Sequence, residues 1–212
     1  MVSERKKEAS ELQVATLLLA AGVSSRMGAG GSHKLLAEFN GVPLVRHMAI
    51  NALESRSLPV TVVTGHRRAE IEAVLTDLPI NLVHNPDYRS GMASSLVTGF
   101  AEPRTTMASG ILVLLADMPR VNAAHLDLLI DDFRQSGGMA VTRAAHGDHP
   151  GNPVIIPRGL YCEMASLRGD QGAKSILQGK GIDIRFVDIG EAAVVDVDTP
   201  AAVLAEGGLL RN

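Results

Sequence analysis

The sequence predicts an α/β protein with a mostly parallel central sheet and helices on both faces. Short apolar runs alternate with helical patterns, giving the order βαβαβαβ through residue 143. The run Ile111-Leu112-Val113-Leu114-Leu115 is continuously apolar, as in a strand buried on both faces. The first apolar run also breaks abruptly into a loop rich in glycine and serine, in TLLLAAGVSSRMGAGGSHKLL from Thr16 to Leu36.

The strands expected in order are Val14–Ala20, Val60–Gly65, Asn81–His84, Gly110–Ala116, Ala140–Arg143, Val154–Ile156 and Asp183–Asp188. Helical patterns fall at Leu44–Glu54, Ala69–Leu75, Met92–Phe100, Ala123–Gln135, Tyr161–Leu167 and Gln171–Leu177, with a last helix after Thr199. Parallel sheets place their sites beyond the carboxyl ends of the strands. The loop after the first strand, Gly65 and Asp117 are therefore expected on one rim. After residue 143 a polar turn, His146-Gly147-Asp148-His149, leads into the extended GNPVIIP, which predicts a less regular or antiparallel region suited to a second substrate. The organisation expected is a flexible tail over 1–12 and a single domain over 13–212. Within it, 13–143 forms one half and 144–212 the other.

A chain of 212 residues is long enough to bury a sizeable core, and its 46% hydrophobic content argues against disorder across the body. Aromatics are only 3% and Trp is absent, which opposes a base-stacking platform, while a net charge of −3 gives no basic footprint for nucleic acid. Cys162 is the only cysteine, so no internal disulfide can form, and a reducing, cytoplasmic setting is expected. Arg5, Lys6 and Lys7 precede an apolar run as in a secretory leader, but Glu4, Glu8 and Glu11 interrupt the charged end and the run is short. No segment is long enough to span a bilayer, so no membrane partner is expected.

Two common phosphate motifs fail. A Walker A loop starting at Gly22 needs glycine where Met27 stands, and the dinucleotide fingerprint needs glycine where His33 stands. HExxH, CxxC, an EF-hand loop and GxSxG are also absent. What remains is a strand followed by Ala-Ala-Gly-x-Ser-x-Arg-Met-Gly, with Lys34 close behind. Glycines let backbone N–H groups approach an anion, Arg26 offers a fork of donors, and Lys34 a compact charge. The plain alternative is a surface loop with solvated cations. Asp117, at the end of Leu114-Leu115-Ala116-Asp117, is placed to hold Mg2+, which favours hard oxygen ligands and bridging phosphates; otherwise it is a turn residue. In Val194–Pro200, alternation puts Asp196 and Asp198 on one side of an extended segment, where one or both could join Asp117. Asp198 or Thr199 could equally cap a helix with Pro200 in its first turn. Gly91-Met92-Ala93-Ser94-Ser95-Leu96 reads as a helix start with exposed backbone donors, or as a plain cap. His146 and His149 have a metal-ligand spacing but read better as loop residues, and Cys162 lacks an activating partner.

Taken together, LLLAAGVSSRMG with KLL, VVTG, HNPDYRSGMASSL, LLADMP, GNPVIIP, GDQGAK and DVDTP resemble the MobA-like nucleotidyltransferases, and among them the molybdenum cofactor cytidylyltransferases. The resemblance covers about Ala15 to Ala205. It implies a Rossmann-like nucleotidyltransferase fold, Mg2+ dependence and release of pyrophosphate. It implies catalytic roles for Arg26, Lys34 and Asp117, with Asp117, Asp198 and Asp196 as metal ligands. The nucleotide, CTP or another NTP, would be held by Leu19, Ala20, Ala21, Gly22, Ser24, Ser25, Arg26, Lys34, Thr64, Gly65, Gly91, Met92, Ser94, Ser95 and Asp117. Ala20-Ala21 resembles the cytosine-selecting form of the loop. The phosphorylated acceptor, molybdopterin or its metal-loaded form, would meet Gly151, Asn152, Pro153, Gly169, Asp170, Gly172 and Ala173. A recipient molybdoenzyme or its chaperone is a further implied partner. One departure stands out: the residue before the lysine is often Asn in the family and is His33 here, after an unusually long approach through Gly30, Gly31 and Ser32.

The reaction so implied is transfer of CMP from CTP to the terminal phosphate of molybdopterin. Positioning and charge stabilisation would carry the catalysis. Alternatives are guanylyl transfer, a sugar- or alcohol-phosphate acceptor, an NAD- or flavin-dependent oxidoreductase, and a nucleotide-responsive chaperone that delivers a cofactor.

Overall fold

The computed structural model describes residues 12–27, 33–168, 176 and 181–210. Strand β1 (Val14–Ala20) runs into a loop with a 3₁₀ turn at Ser25–Met27, and a second 3₁₀ turn, Lys34–Leu36, follows. Next come a two-strand ribbon, β2 (Glu38–Phe39) and β3 (Val42–Pro43), and helix α1 (Leu44–Glu54). The alternation continues with β4 (Val60–Thr64), α2 (Arg68–Ala73), β5 (Asn81–His84), α3 (Met92–Phe100), the single turn α4 (Pro103–Thr106), β6 (Gly110–Leu115) and α5 (Ala123–Gln135). The chain then forms the hairpin β7 (Val141–His146) and β8 (His149–Pro157), followed by α6 (Tyr161–Ala165), β9 (Ile184–Asp188) and α7 (Pro200–Ala205).

Among the described residues, seven strands form one sheet in the order β5-β4-β1-β6-β8-β7-β9. β1 lies parallel to β4 and β6, with Leu18 opposite Val62 and Leu114. β4 is parallel to β5 and β7 to β9, so β8 alone runs against its neighbours. This is the expected Rossmann-like α/β fold, with the antiparallel region after residue 143 reduced to one inserted strand. Because β8 is antiparallel to β6, its amino end (His149–Gly151) lies toward the carboxyl end of β6.

Alternation along β1 serves two cores. Val14, Leu18 and Ala20 face a layer with Met48 of α1, Ile71 of α2, Leu126 and Phe133 of α5 and Val203 of α7. Leu17 faces the opposite layer with Leu96 and Phe100 of α3 and Tyr161 and Met164 of α6. Each helix except the single turn α4 places its apolar stripe against one of these layers. α5 is closed by a capping box, in which the Asn122 side chain accepts from the His125 N–H and the His125 ring accepts from the Asn122 N–H. At α7, Thr199 supplies the cap and Pro200 the first turn.

The expected elements differ from the observed ones in specific places. β8 extends back to His149 because the hairpin recruits its polar residues by cross-strand pairing, His146 opposite His149, which hydropathy does not register. That places both histidines in strand ends rather than in a loop. The β2–β3 ribbon and α4 went unread because segments of two to four residues carry no periodicity, although Asn40-Gly41 is a hairpin-turn dipeptide. Leu12, at the end of the expected tail over 1–12, has its carbonyl accepting from Arg134 Nε at 3.2 Å; residues 1–11 lie outside the described residues, as does nearly all of the helix expected at Gln171–Leu177. Among the described residues no helix is long and apolar enough to cross a membrane.

Candidate active site

Backbone bonds gather the rim at the carboxyl ends of the parallel strands. The Ala116 N–H donates to Leu19 O, His66 N–H to Ala21 O, and Val197 N–H to Asp117 O. The last of these ties the segment carrying Asp196 and Asp198 to the end of β6. Between these loops opens a cleft of about 440 Å³, within the size range of small-molecule sites. Its lining includes Ala21, Gly22, Ser24 and Ser25 from the first loop, Lys34, Gly91, Met92 and Ser95 at the start of α3, and Asp117, Asp196 and Asp198.

Lys34 is its electrostatic centre. The ammonium donates to Asp117 Oδ2 at 2.5 Å and Asp198 Oδ1 at 2.6 Å, while the exposed Arg26 donates to Asp198 Oδ2. Burial disfavours the Lys34 charge, but Asp117 and Asp198 more than offset it and hold its pKa above the ordinary lysine value. The Lys34 hydrogen bond is the largest influence on Asp198 and, with Arg26, keeps its pKa below the usual carboxylate value. Asp196 is exposed as a residue, yet partial burial of its carboxyl, with repulsion from Asp117 and Asp198, shifts it upward. Asp117 Oδ1 is buried and, among the described residues, has no hydrogen-bond partner. Among the described residues no three acidic, imidazole or thiol groups converge into a ready-made metal cage. Mg2+ does not need one, since it is commonly held by one or two carboxylates plus substrate phosphates. An unsatisfied buried carboxylate oxygen beside Asp198, all-oxygen and anionic, fits that mode of binding.

The first loop is braced from behind by His33, which is 3% exposed. Its Nδ1 accepts from the Leu35 N–H at 3.3 Å and caps the 3₁₀ turn that begins at Lys34. Its Nε2 lies 3.1 Å from Ser24 Oγ and 3.3 Å from Gly22 O. The opposite wall is braced by buried Asn85, whose amide donates to Ser94 Oγ at 2.9 Å and Ser95 Oγ at 3.0 Å while its oxygen accepts from Asp87 N–H. Gly91 enters α3 at φ +103°, a conformation that side chains rarely adopt.

The structure thus brings together Leu19, Ala21, Gly22, Ser24, Ser25, Lys34, Gly91, Met92, Ser95, Asp117, Asp196 and Asp198, with Arg26 at the margin through Asp198. Other expected residues lie elsewhere. Ala20 is wholly buried beneath the cleft. Thr64 is buried and spends its hydroxyl on Glu72 Oε1 at 2.8 Å, so it does not line the cleft. Gly65 serves packing, because a Cβ there would meet Tyr88 Cβ at 2.7 Å and Ala21 Cβ at 2.8 Å. Ser94 lines a neighbouring groove with Asn85 and Arg168. Gly151, Asn152 and Pro153 sit in β8 rather than in the cleft, and Gly151 is needed because a Cβ would fall 2.0 Å from Ala193 O. Gly169, Asp170, Gly172 and Ala173 lie outside the described residues.

Tyr88 and Arg89 line the cleft and were not singled out from the sequence; their place inside HNPDYRSGMASSL is the signal that points to them. Arg143 was also unread. Its Nε donates to Gly151 O at 2.8 Å, burial pulls its pKa down, and among the described residues no carboxylate pairs with it.

A Rossmann-like sheet with a glycine-containing loop, paired cations and carboxylates at its carboxyl rim defines a protein of the nucleotidyltransferase superfamily. Residues 16–184 match the MobA-like NTP transferase domain, and the chain belongs to that family. It is 32% identical to nicotine blue oxidoreductase of Paenarthrobacter nicotinovorans, over 88% of this chain and 92% of that protein. It is 28% identical to the molybdenum cofactor cytidylyltransferase of Escherichia coli (strain K12), over 87% of this chain and 90% of the relative. In fold it is similar to Rv0371c of Mycobacterium tuberculosis H37Rv, solved in complex with manganese, with a TM-score of 0.76, 23% identity, and coverage of 92% of this chain and 97% of the other.

Proposed function

We propose that this protein transfers a nucleotidyl group from a Mg2+-bound NTP to a phosphorylated acceptor, and that its specific form is cytidylyl transfer from CTP to molybdopterin or a related pterin phosphate. The observation that carries the reading is Lys34 bound between Asp117 and Asp198, with Arg26 on the same carboxylate, beside the Gly22–Ser25 loop. The likeness to a molybdenum cofactor cytidylyltransferase supports the choice of base and acceptor, and the manganese in the structurally similar protein supports a divalent cation.

In the proposed reaction an acceptor phosphate oxygen attacks the α-phosphorus in line, the bond to the bridging oxygen breaks, and pyrophosphate leaves with the electron pair. Arg26 and Lys34 would pass from carboxylate to phosphate oxygens and neutralise the leaving group. Asp117 and Asp198, with Asp196 beside them, would hold Mg2+, which would neutralise phosphate charge. An acceptor phosphate is largely ionised near neutral pH, so no general base is required of the chain. Residues 13–143 would serve the nucleotide and 144–212 the acceptor.

A thermal-shift titration with CTP, GTP and ATP, each with and without Mg2+, tests the reading. A ligand at 100 times its dissociation constant stabilises the native state by about 2.7 kcal/mol. A Mg2+-dependent shift selective for CTP is expected. A GTP-selective shift would move the reading to guanylyl transfer. The name of the 32% identical relative, an oxidoreductase, favours a second reading, redox chemistry in the same cleft with the NAD or flavin cofactor weighed from the sequence. A shift with NADH or NADPH and none with any NTP would select it.

A further inference from the structure

The histidine in front of Lys34 has no place in the chemistry proposed above, yet it is among the most constrained polar side chains near the cleft. We infer that His33 is a positioning residue, a neutral Nε2–H strut that fixes Lys34 relative to the Gly22–Ser24 backbone so that both meet the same phosphate chain. This inference rests on the proposed nucleotide site.

The tautomer follows from the partners. Nδ1 accepts from a backbone amide, the Leu35 N–H, so it carries no proton. Nε2 faces the Gly22 carbonyl, which can only accept, so the ring proton is there. Ser24 Oγ, at 3.1 Å, shares that proton. Both demands select one form of the ring, and an imidazolium would lose the Leu35 bond. The surroundings oppose a second proton as well: burial above all, then the nearby His66, Arg67 and Lys34, lower the pKa to about 4.

The strut acts across two backbones. On one side it caps the turn whose first residue is Lys34; on the other it holds the loop that leaves β1. Ser24 sits at φ +54°, a left-handed conformation uncommon outside glycine, and the His33 contact helps over-determine it. The ring also stacks on His66, centroids 5.4 Å apart, and His66 packs against Tyr88 at 6.0 Å. Tyr88 lines the same cleft as Lys34, so the ladder links the loops after β1, β4 and β5. An asparagine could accept from the Leu35 amide but is too short to span to Gly22 in the same pose.

The test compares His33→Phe, which keeps the volume without hydrogen bonding, and His33→Gln, which restores a donor at about the reach of Nε2. Affinities of the full chain for CTP and CMP, both with Mg2+, are measured by calorimetry. A phosphate-positioning strut predicts that H33F weakens CTP by about tenfold, the scale of one charge-assisted contact, leaves CMP unchanged, and is partly rescued by H33Q. Equal losses for CTP and CMP, or unchanged CTP binding in H33F, would reduce the ring to core packing and overturn the inference. If H33F fails to fold, His33→Leu takes its place in the same comparison with H33Q. Nitrogen-15 NMR of the wild-type ring is independent of any nucleotide. An Nε2–H tautomer is expected, and an Nδ1–H tautomer or a protonated ring at pH 7 overturns the strut even if CTP binds. A wild-type chain with that tautomer and no affinity for any nucleotide would instead overturn the nucleotide site itself, and with it the strut's purpose.

Discussion

Lys34 sits at the point where charge and burial meet most sharply, and removing it separates their effects. Its side chain is 11% exposed and neutralises two carboxylates, of which the Asp117 side chain is only 17% exposed. Breaking a buried pair from one end costs about 3–5 kcal/mol, because the remaining charge is left desolvated. The partial exposure of Asp198 lowers that figure, and Lys34→Met is expected to lose about 2–3 kcal/mol at pH 7. The pH dependence has a fixed sign. The Lys34 bond depresses Asp198 below its ordinary value, so its stabilisation is present above the unfolded pKa and is lost as pH falls through the folded one. The raised pKa of Lys34 acts at the other end, where stabilisation disappears only as pH climbs through a value above 10.5. The gap between wild type and variant in urea unfolding should therefore begin to narrow as the pH falls below about 4 and go on narrowing through the depressed Asp198 value. A gap that stays constant from pH 7 to pH 3 would mean that lost packing, not the ion pair, sets the cost.

At the scale of elements, β8 and the 3₁₀ turn Gly190–Ala193 decide where the acidic segment lies. Gly151 makes this contact, with Ala193 O only 2.0 Å from where a Cβ would stand and the Ala193 carbonyl carbon at 2.6 Å. Backbone cannot yield as a side-chain end does. Gly151→Ala should therefore cost about 3 kcal/mol, or roughly 8 °C in melting temperature, by overpacking. Gly159→Ala, with nothing within 4 Å, is the control and should stay within about 0.5 kcal/mol of wild type. A tolerated Gly151→Ala would release the GNPVIIP glycine from this structural duty. Here the limits of reading a sequence become physical. Val14–Ala20 and Gly110–Leu115 were legible because continuous apolar runs mark strands buried on both faces. Asp117 was legible because it directly follows such a run. Gly151 read as an acceptor contact because a close approach to a carbonyl some 40 residues later leaves no local trace. Thr64 misled for the same reason: its partner, Glu72, is on α2. The ends of β7 and β8 are polar residues held by each other, a pairing that periodicity cannot anticipate.

For the whole molecule, the way the chain is interleaved sets how it should unfold. The proposed boundary near residue 143 divides roles, but β8 lies between β6 and β7 and joins the two segments at the centre of the sheet. Val113 pairs with Val154 and Thr142 with Ile155. Both core layers cross the boundary as well: Ile155, Ile189 and Val203 pack with Leu18 and Leu114 on one side, and Ile156, Tyr161 and Met164 with Leu17 and Leu96 on the other. Neither segment retains a closed core without the other, so the two should melt together in one cooperative transition. Trp is absent and Cys162 is the only cysteine and exposed, which allows a single fluorophore on α6 to report the second segment. Far-UV circular dichroism reports the whole sheet and its helices. In urea the two signals should fall with the same midpoint and the same slope, since both then track one loss of buried surface. A label that changes at lower urea than the dichroism would show that residues after 143 open separately. The inserted strand β8 would then be a seam between two cooperative units rather than the tie between two halves of one.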